Sequence, residues 1–258
     1  MVHSNVFERV CTTLAALERE RDVRVLYACE SGSRAWGFAS RDSDYDVRFV
    51  YVHRREWYLS VQERRDVIEL PVSDDLDVSG WELRKALRLL GKSNPPLLEW
   101  MKSPLVYRQD PVFAAEFRVL SESFYSPRRC FAHYLHMGFN NWRKYLCDRE
   151  KVSLKKYLYV FRPLLSCRWI ERGFGAVPML FSELIEAVLE EAPVRKELDA
   201  LVARKQAGDE LAAAPPVPVL SHFIEREMAR LDALAKPEES DTSPVELDRF
   251  FQRYCLRN

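Results

Sequence analysis

The sequence predicts an α+β protein: a small mixed sheet with flanking helices, followed by an all-helical C-terminal domain. Two observations carry this. Between residues 23 and 81, four β-branched or aromatic runs of strand length follow one another, separated by turn residues. Beyond about residue 110 such runs cease, and apolar residues recur at helical spacing. With 258 residues, 47% of them hydrophobic, the chain has enough apolar mass for two modest domains, expected at 1–110 and 111–258.

Taken in order, residues 5–21 suit a helix with Val6, Val10, Leu14 and Leu17 on one stripe. VRVLYAC (23–29) and DVRFVYV (46–52) read as strands, as do DVIELPV (66–72) and DLDVSGW (75–81). Pro71 places the third of these at an edge or a strand end. GWELRKALRLLG (80–91) is an amphipathic helix stopped at Gly91 and followed by Pro95 and Pro96. Helical patterns then cover 127–148, 153–172, 179–191, 194–208, 219–236 and 244–256. Pro163 inside the second of these must kink it or leave a carbonyl for a neighbour to satisfy.

Composition excludes several classes. No apolar run approaches the roughly 18 residues of a membrane span, and MVHSNVFERV lacks the apolar stretch of a signal peptide. The six cysteines show no CxxC pairing and read as reduced thiols of a cytoplasmic protein. Cys130, His133 and His136 stand at spacings of three, yet no fourth ligand follows at a familiar interval, so they read as packing residues. Net charge is zero but segregated. Residues 126–172 carry eleven Lys/Arg against three Asp/Glu, whereas 173–258 carry ten against sixteen. The basic stretch either meets phosphates, RNA or tRNA among them, or pairs with the acidic tail; both remain open.

The stretch DSDYDV (42–47) raises the chemical question. Asp44 and Asp46 are two apart at the start of a strand, so their carboxylates point the same way while Tyr45 and Val47 face the other side. Two such carboxylates repel unless they share a proton or a cation, and Mg²⁺ favours a few carboxylates completed by water and phosphate oxygens. An EF-hand is excluded, because Val47 stands where its glycine belongs and His53 where its glutamate belongs. Upstream, Gly32 and Ser33 follow a strand, a turn that either holds phosphate or is an ordinary turn.

Gly32-Ser33, a gap of ten residues and Asp44-Tyr45-Asp46-Val47 together resemble the signature of the DNA polymerase beta-like nucleotidyltransferase superfamily. SGSRAWGFASRDSDYDVRFVY (31–51) and LDVSGWELRKALRLLGKSNPPLLEW (76–100) look like its branch of predicted nucleotidyltransferases linked to RNA repair, and KKYLYVFRPLL (155–165) is similar to that branch as well. The resemblance implies a polymerase-beta-like palm and a third carboxylate on a neighbouring strand. Asp74, Asp75 and Asp77 are the candidates; Asp77, between Leu76 and Val78, has the strand setting.

It further implies Mg²⁺- or Mn²⁺-dependent transfer of a nucleoside monophosphate from an NTP, ATP being favoured, to a hydroxyl. The favoured acceptor is an RNA 3′ end. Asp44, Asp46 and Asp77 would hold two metal ions. Ser33 and the backbone around Gly32 would grip phosphates, Arg34 or Arg48 would neutralise charge, and Lys155 or Lys156 would touch the triphosphate unless they only solvate a helix face. Protein adenylylation, an antitoxin-like nucleotidyltransferase, and an inactive nucleotide-binding module are the alternatives.

Overall fold

The structure, a computed structural model, describes residues 4–73, 75–208, 211, 213–234 and 244–256. Its elements run α1 (Ser4–Arg21), β1 (Val23–Glu30), α2 (Gly32–Ala35), β2 (Tyr45–His53), α3 (Arg55–Tyr58), β3 (Val67–Glu69), β4 (Leu76–Glu82), α4 (Leu83–Gly91), α5 (Pro95–Trp100), β5 (Val106–Gln109) and α6 (Pro111–Ser123). There follow α7 (Pro127–Tyr145), β6 (Val152–Ser153), α8 (Lys155–Glu171), α9 (Phe181–Val188), α10 (Ala192–Gln206), β7 (Ala213–Ala214), α11 (Pro218–Asp232) and α12 (Pro244–Leu256). The described residues fall into two compact units. One is drawn from 1–32, 44–125 and 241–258, the other from 33–43 and 126–240.

The first unit is built on a five-stranded mixed sheet in the order β3-β4-β2-β1-β5. β1 pairs antiparallel with β2 and β5, and β3 antiparallel with β4, while β2 and β4 run parallel. β3 is shorter than its sequence run because pairing stops before Pro71, which has no N–H to donate. Strand alternation assigns the two faces. Val10, Leu14 and Leu17 of α1 pack on Tyr45, Val47, Phe49, Tyr51 and Val78. On the other face Val50 and Val52 meet Leu83, Leu87 and Leu90 of α4, Phe113 and Phe117 of α6, and Phe250 and Tyr254 of α12. A bulge between Val25 and Tyr27 lets β1 place Val25 on the first face and both Leu26 and Tyr27 on the second.

Four elements of this unit escaped the sequence reading, the one-turn α3 among them. In α5 and α6, Pro95 and Pro111 open a helix instead of marking a stop, since a first-turn proline lacks only an N–H that has no partner there anyway. Asn94 caps α5 by accepting from Leu97 N at 3.2 Å, and Asp110 caps α6 by accepting from Val112 N and Phe113 N at 3.0 Å. β5 is a four-residue edge strand with too little alternation to stand out.

The second unit is helical apart from the two-residue strands β6 and β7, which pair antiparallel. Pro163 lies inside α8 and cannot bond the carbonyl of Tyr159; Asn141 of α7 donates to that oxygen at 2.9 Å instead. The same two helices approach closely at Gly138, where a Cβ would sit 3.0 Å from Leu164 Cδ2. Part of the basic stretch is spent internally. Arg168 donates to Glu191 and to the buried Glu227, and Arg172 to Glu190.

Candidate active site

The site starts from register. On the parallel strands β2 and β4, Asp46 is the direct partner of Asp77, so both carboxylates project from the same face. Tyr45 and Val47 are buried on the opposite face, as alternation requires. Arg48, two residues on, turns back between the acids. Its Nη2 donates to Asp46 Oδ1 at 3.1 Å and to Asp77 Oδ2 at 2.8 Å, while Nη1 donates to the carbonyls of Val47 and Asp77 at 3.1 and 3.0 Å. One guanidinium nitrogen thus relieves the repulsion between two half-buried carboxylates.

Gly32 is held against this pair. Its φ of +59° lies in the left-handed region, and a Cβ there would sit 2.0 Å from Asp46 Oδ2. The neighbouring Ser31 N donates to Asp46 O at 2.8 Å, tying the turn to the strand. Glycine is required twice, by conformation and by space.

Glu30, the last residue of β1, is a positioning residue the sequence reading passed over. Only 1% exposed, it accepts from Asp46 N at 2.9 Å through Oε1 and from the Tyr107 hydroxyl through Oε2. Ser103 donates to its carbonyl at 2.6 Å. The available signal was a charged residue closing an otherwise apolar strand directly before Ser31-Gly32.

The remaining candidates separate by place. Asp44 is exposed, one residue before β2. Asp75 gives its carbonyl to Tyr45 N at 2.7 Å and its carboxylate to Arg9 of α1, so it is engaged away from Asp77. Asp74 lies outside the described residues. In the second unit, Ser33 is buried in the one-turn α2. Arg34 donates to the carbonyls of Arg41 and Ser43 and so folds its own loop. Lys155 is exposed, and Lys156 Nζ lies 4.1 Å from the Tyr145 ring centroid and 5.1 Å from that of Tyr159. Cys130 is buried and His133 and His136 are exposed; among the described residues no group of three His, Cys, Asp or Glu side chains is gathered as for a metal.

The chain matches the family described as "RlaP: RNA repair pathway DNA polymerase beta family" over residues 6–253. It belongs to that family. A protein of Bacillus subtilis (strain 168), described as "Uncharacterized protein YcgL", is 44% identical over 244 residues, 94% of each chain. A crystal structure described as a nucleotidyltransferase-like protein from Exiguobacterium sibiricum 255-15 aligns over 96% of this chain and 91% of its own. Its identity is 12% and its TM-score 0.33, a score at which the likeness supports no inference. No helix among the described residues is long and apolar enough to cross a membrane.

Proposed function

We propose that the protein transfers a nucleoside monophosphate, AMP from ATP in the favoured case, to the 3′ hydroxyl of an RNA. The observation that carries this reading is the facing pair Asp46 and Asp77 with Gly32 packed on Asp46. The donor set fits a hard divalent cation: carboxylate oxygens that share one cationic donor already, beside a turn with no side chain to crowd them. The facing Asp46 and Asp77, with the exposed Asp44 joining them from just before β2, would hold Mg²⁺ or Mn²⁺, which when bound would supply Lewis-acid polarisation of the phosphates and a more acidic acceptor hydroxyl.

The chain's own residues do the positioning. Glu30 fixes the backbone at Asp46, Gly32 leaves room for the Asp46 carboxylate, and Arg48 balances negative charge as substrate enters. The acceptor oxygen bonds to the α-phosphorus, the bridging P–O bond breaks, pyrophosphate leaves, and the hydroxyl proton passes to water. The phosphate contacts implied for Ser33, Arg34, Lys155 and Lys156 belong to the same proposal. RNA as acceptor rests on the family's link to RNA repair. A cytoplasmic setting fits six free cysteines.

The test incubates the protein with each α-labelled NTP, Mg²⁺ or Mn²⁺, total RNA and cell protein. Label on RNA that disappears with Asp46→Ala supports the proposal. Label on protein instead points to adenylylation, and silence with intact ATP binding points to a nucleotide-binding module.

A further inference from the structure

At the end of β2 and β4 opposite Asp46 and Asp77, next to His53 and Glu82, lies a pocket of about 170 Å³. With roughly 3.3 Å per strand residue it is about 20 Å from the aspartates and separate from them. Arg64, Arg84, Lys85 and Arg88 line it together with Trp57 and Tyr58.

Three of these cations form no ion pair with an acid among the described residues, although the buried Glu82 feels the charge of Arg84. The Arg64 guanidinium lies 5.7 Å from the Trp57 ring centroid; that of Arg84 lies 5.1 Å from Tyr58 and 5.0 Å from Phe251. Arg88 is exposed one turn after Arg84 on α4. Among the described residues none of the three guanidiniums makes a hydrogen bond or ion pair. Their neighbours do: Arg65 pairs with Glu69, and Lys85 with Asp66 at 3.0 Å. A guanidinium placed over a ring is held without using its N–H donors, which stay available for phosphate oxygens.

The lining acids do not cancel this charge. Asp66 is taken by Lys85. Glu82 is 1% exposed and accepts from the Tyr58 hydroxyl at 2.5 Å and from Arg84 N at 2.7 Å, and burial pushes its carboxyl up. Of the acids lining this pocket that leaves the exposed Glu63, and the exposed Asp248 of α12 lines an adjoining pocket with Arg84 and Arg88. Beside them Trp57 stacks on His53 at 4.0 Å and 7°, and burial first, then Arg64, holds His53 down at about 4, so the stack is uncharged at neutral pH.

Arginines that make no ion pair, interleaved with aromatic rings and outnumbering the exposed acids beside them, suit a ligand that alternates phosphates and planar bases; an acidic peptide would use the arginines and leave the rings idle. We propose that this pocket binds the backbone of a single-stranded RNA, with Arg64, Arg84 and Arg88 on its phosphates and Trp57 beside a base. The inference rests on RNA being the acceptor, and it gives that acceptor a second hold far from the reacting end.

The experiment measures binding of a fluorescein-labelled single-stranded RNA of about 12 nucleotides to the full chain, without NTP, between about 50 and 200 mM salt. Arg64→Ser with Arg88→Ser, both exposed and so without consequence for folding, should weaken binding about tenfold or more. It should also flatten the salt dependence by ~0.7 for each phosphate that is no longer neutralised. Trp57→Ala should weaken binding with the salt slope unchanged. A wild-type protein that binds this RNA yet transfers no label in the assay above would count against the transfer reading alone. Wild-type affinity and slope in the double arginine variant would overturn the proposal. So would displacement of the RNA by polyglutamate as readily as by unlabelled RNA, or no RNA binding by the wild type.

Discussion

Asp46 and Asp77 face each other across two parallel strands and share a single nitrogen of Arg48. The carboxylates are therefore drawn together by the protein itself, and removing the shared donor exposes their repulsion. Arg48→Met should lower the melting temperature in metal-free buffer. Added Mg²⁺ or Mn²⁺ should then raise it further than in the wild type, because ligand binding to the native state stabilises by mass action. Thermal scans with and without metal measure both, and an Arg48→Met protein indifferent to metal contradicts the donor set.

Gly32→Ala should be severe for its size. The left-handed φ costs an alanine about 1 kcal/mol, and the 2.0 Å approach forces Asp46 Oδ2 to move. Transfer should fall by more than the loss of stability explains. Comparing turnover with chemical unfolding separates the two; a stable and fully active variant would remove Gly32 from the site.

Asp77→Asn and Asp75→Asn should part company. Asp77 faces Asp46, whereas Asp75 is bound to Arg9, so the first should abolish transfer and the second leave it near wild type, with a stability change of about 1 kcal/mol or less. Steady-state rates of the two variants decide the assignment.

Asn141 and Pro163 should be coupled. Asn141→Ala leaves the Tyr159 carbonyl without its donor and should cost about 1–3 kcal/mol. In a Pro163→Ala background the residue regains an N–H for that carbonyl, so the same change should cost markedly less. A double-mutant cycle by urea unfolding reads the coupling; additive effects would mean that the bond does not compensate for the proline.

Glu227 gives a pH signature. Burial would raise its carboxyl, yet hydrogen bonds from Arg168 and Arg230 outweigh burial and bring it down to about 2 from the usual 4.5. A depressed carboxylate contributes stability that is whole above the unfolded value and is lost as pH falls through the folded one. Stability should therefore decline from about pH 4.5 towards 2. Glu227→Gln should be less stable at neutral pH and flatter across that window, which melting temperatures against pH will show.

Much of the architecture was legible because it is written in local periodicity. Strand alternation at Tyr45–Asp46–Val47 and the stripe of Val10, Leu14 and Leu17 need no distant partner to be read. Asp77 could be preferred over Asp75 for the same reason, since it alternates with Leu76 and Val78. Glu30 was not legible, because a buried glutamate is tolerable only when Asp46 N and the Tyr107 hydroxyl arrive to meet it, and Tyr107 comes from a strand 77 residues later. The pocket beside Trp57 was equally hidden, being assembled from α3, the loop after it, a strand end and α4.

The sequence by itself determined the two kinds of structure, the spacing of the glycine turn from the aspartates, and the face on which Asp46 projects. These follow from backbone geometry within a few residues. Tertiary structure alone decided that Asp77 meets Asp46 in register, that Arg48 lies between them, and that α12 returns to cover the sheet on which α4 and α6 pack. Those facts depend on which strands pair and which apolar faces find each other, and burial has no direction along the chain from which to foretell its partner.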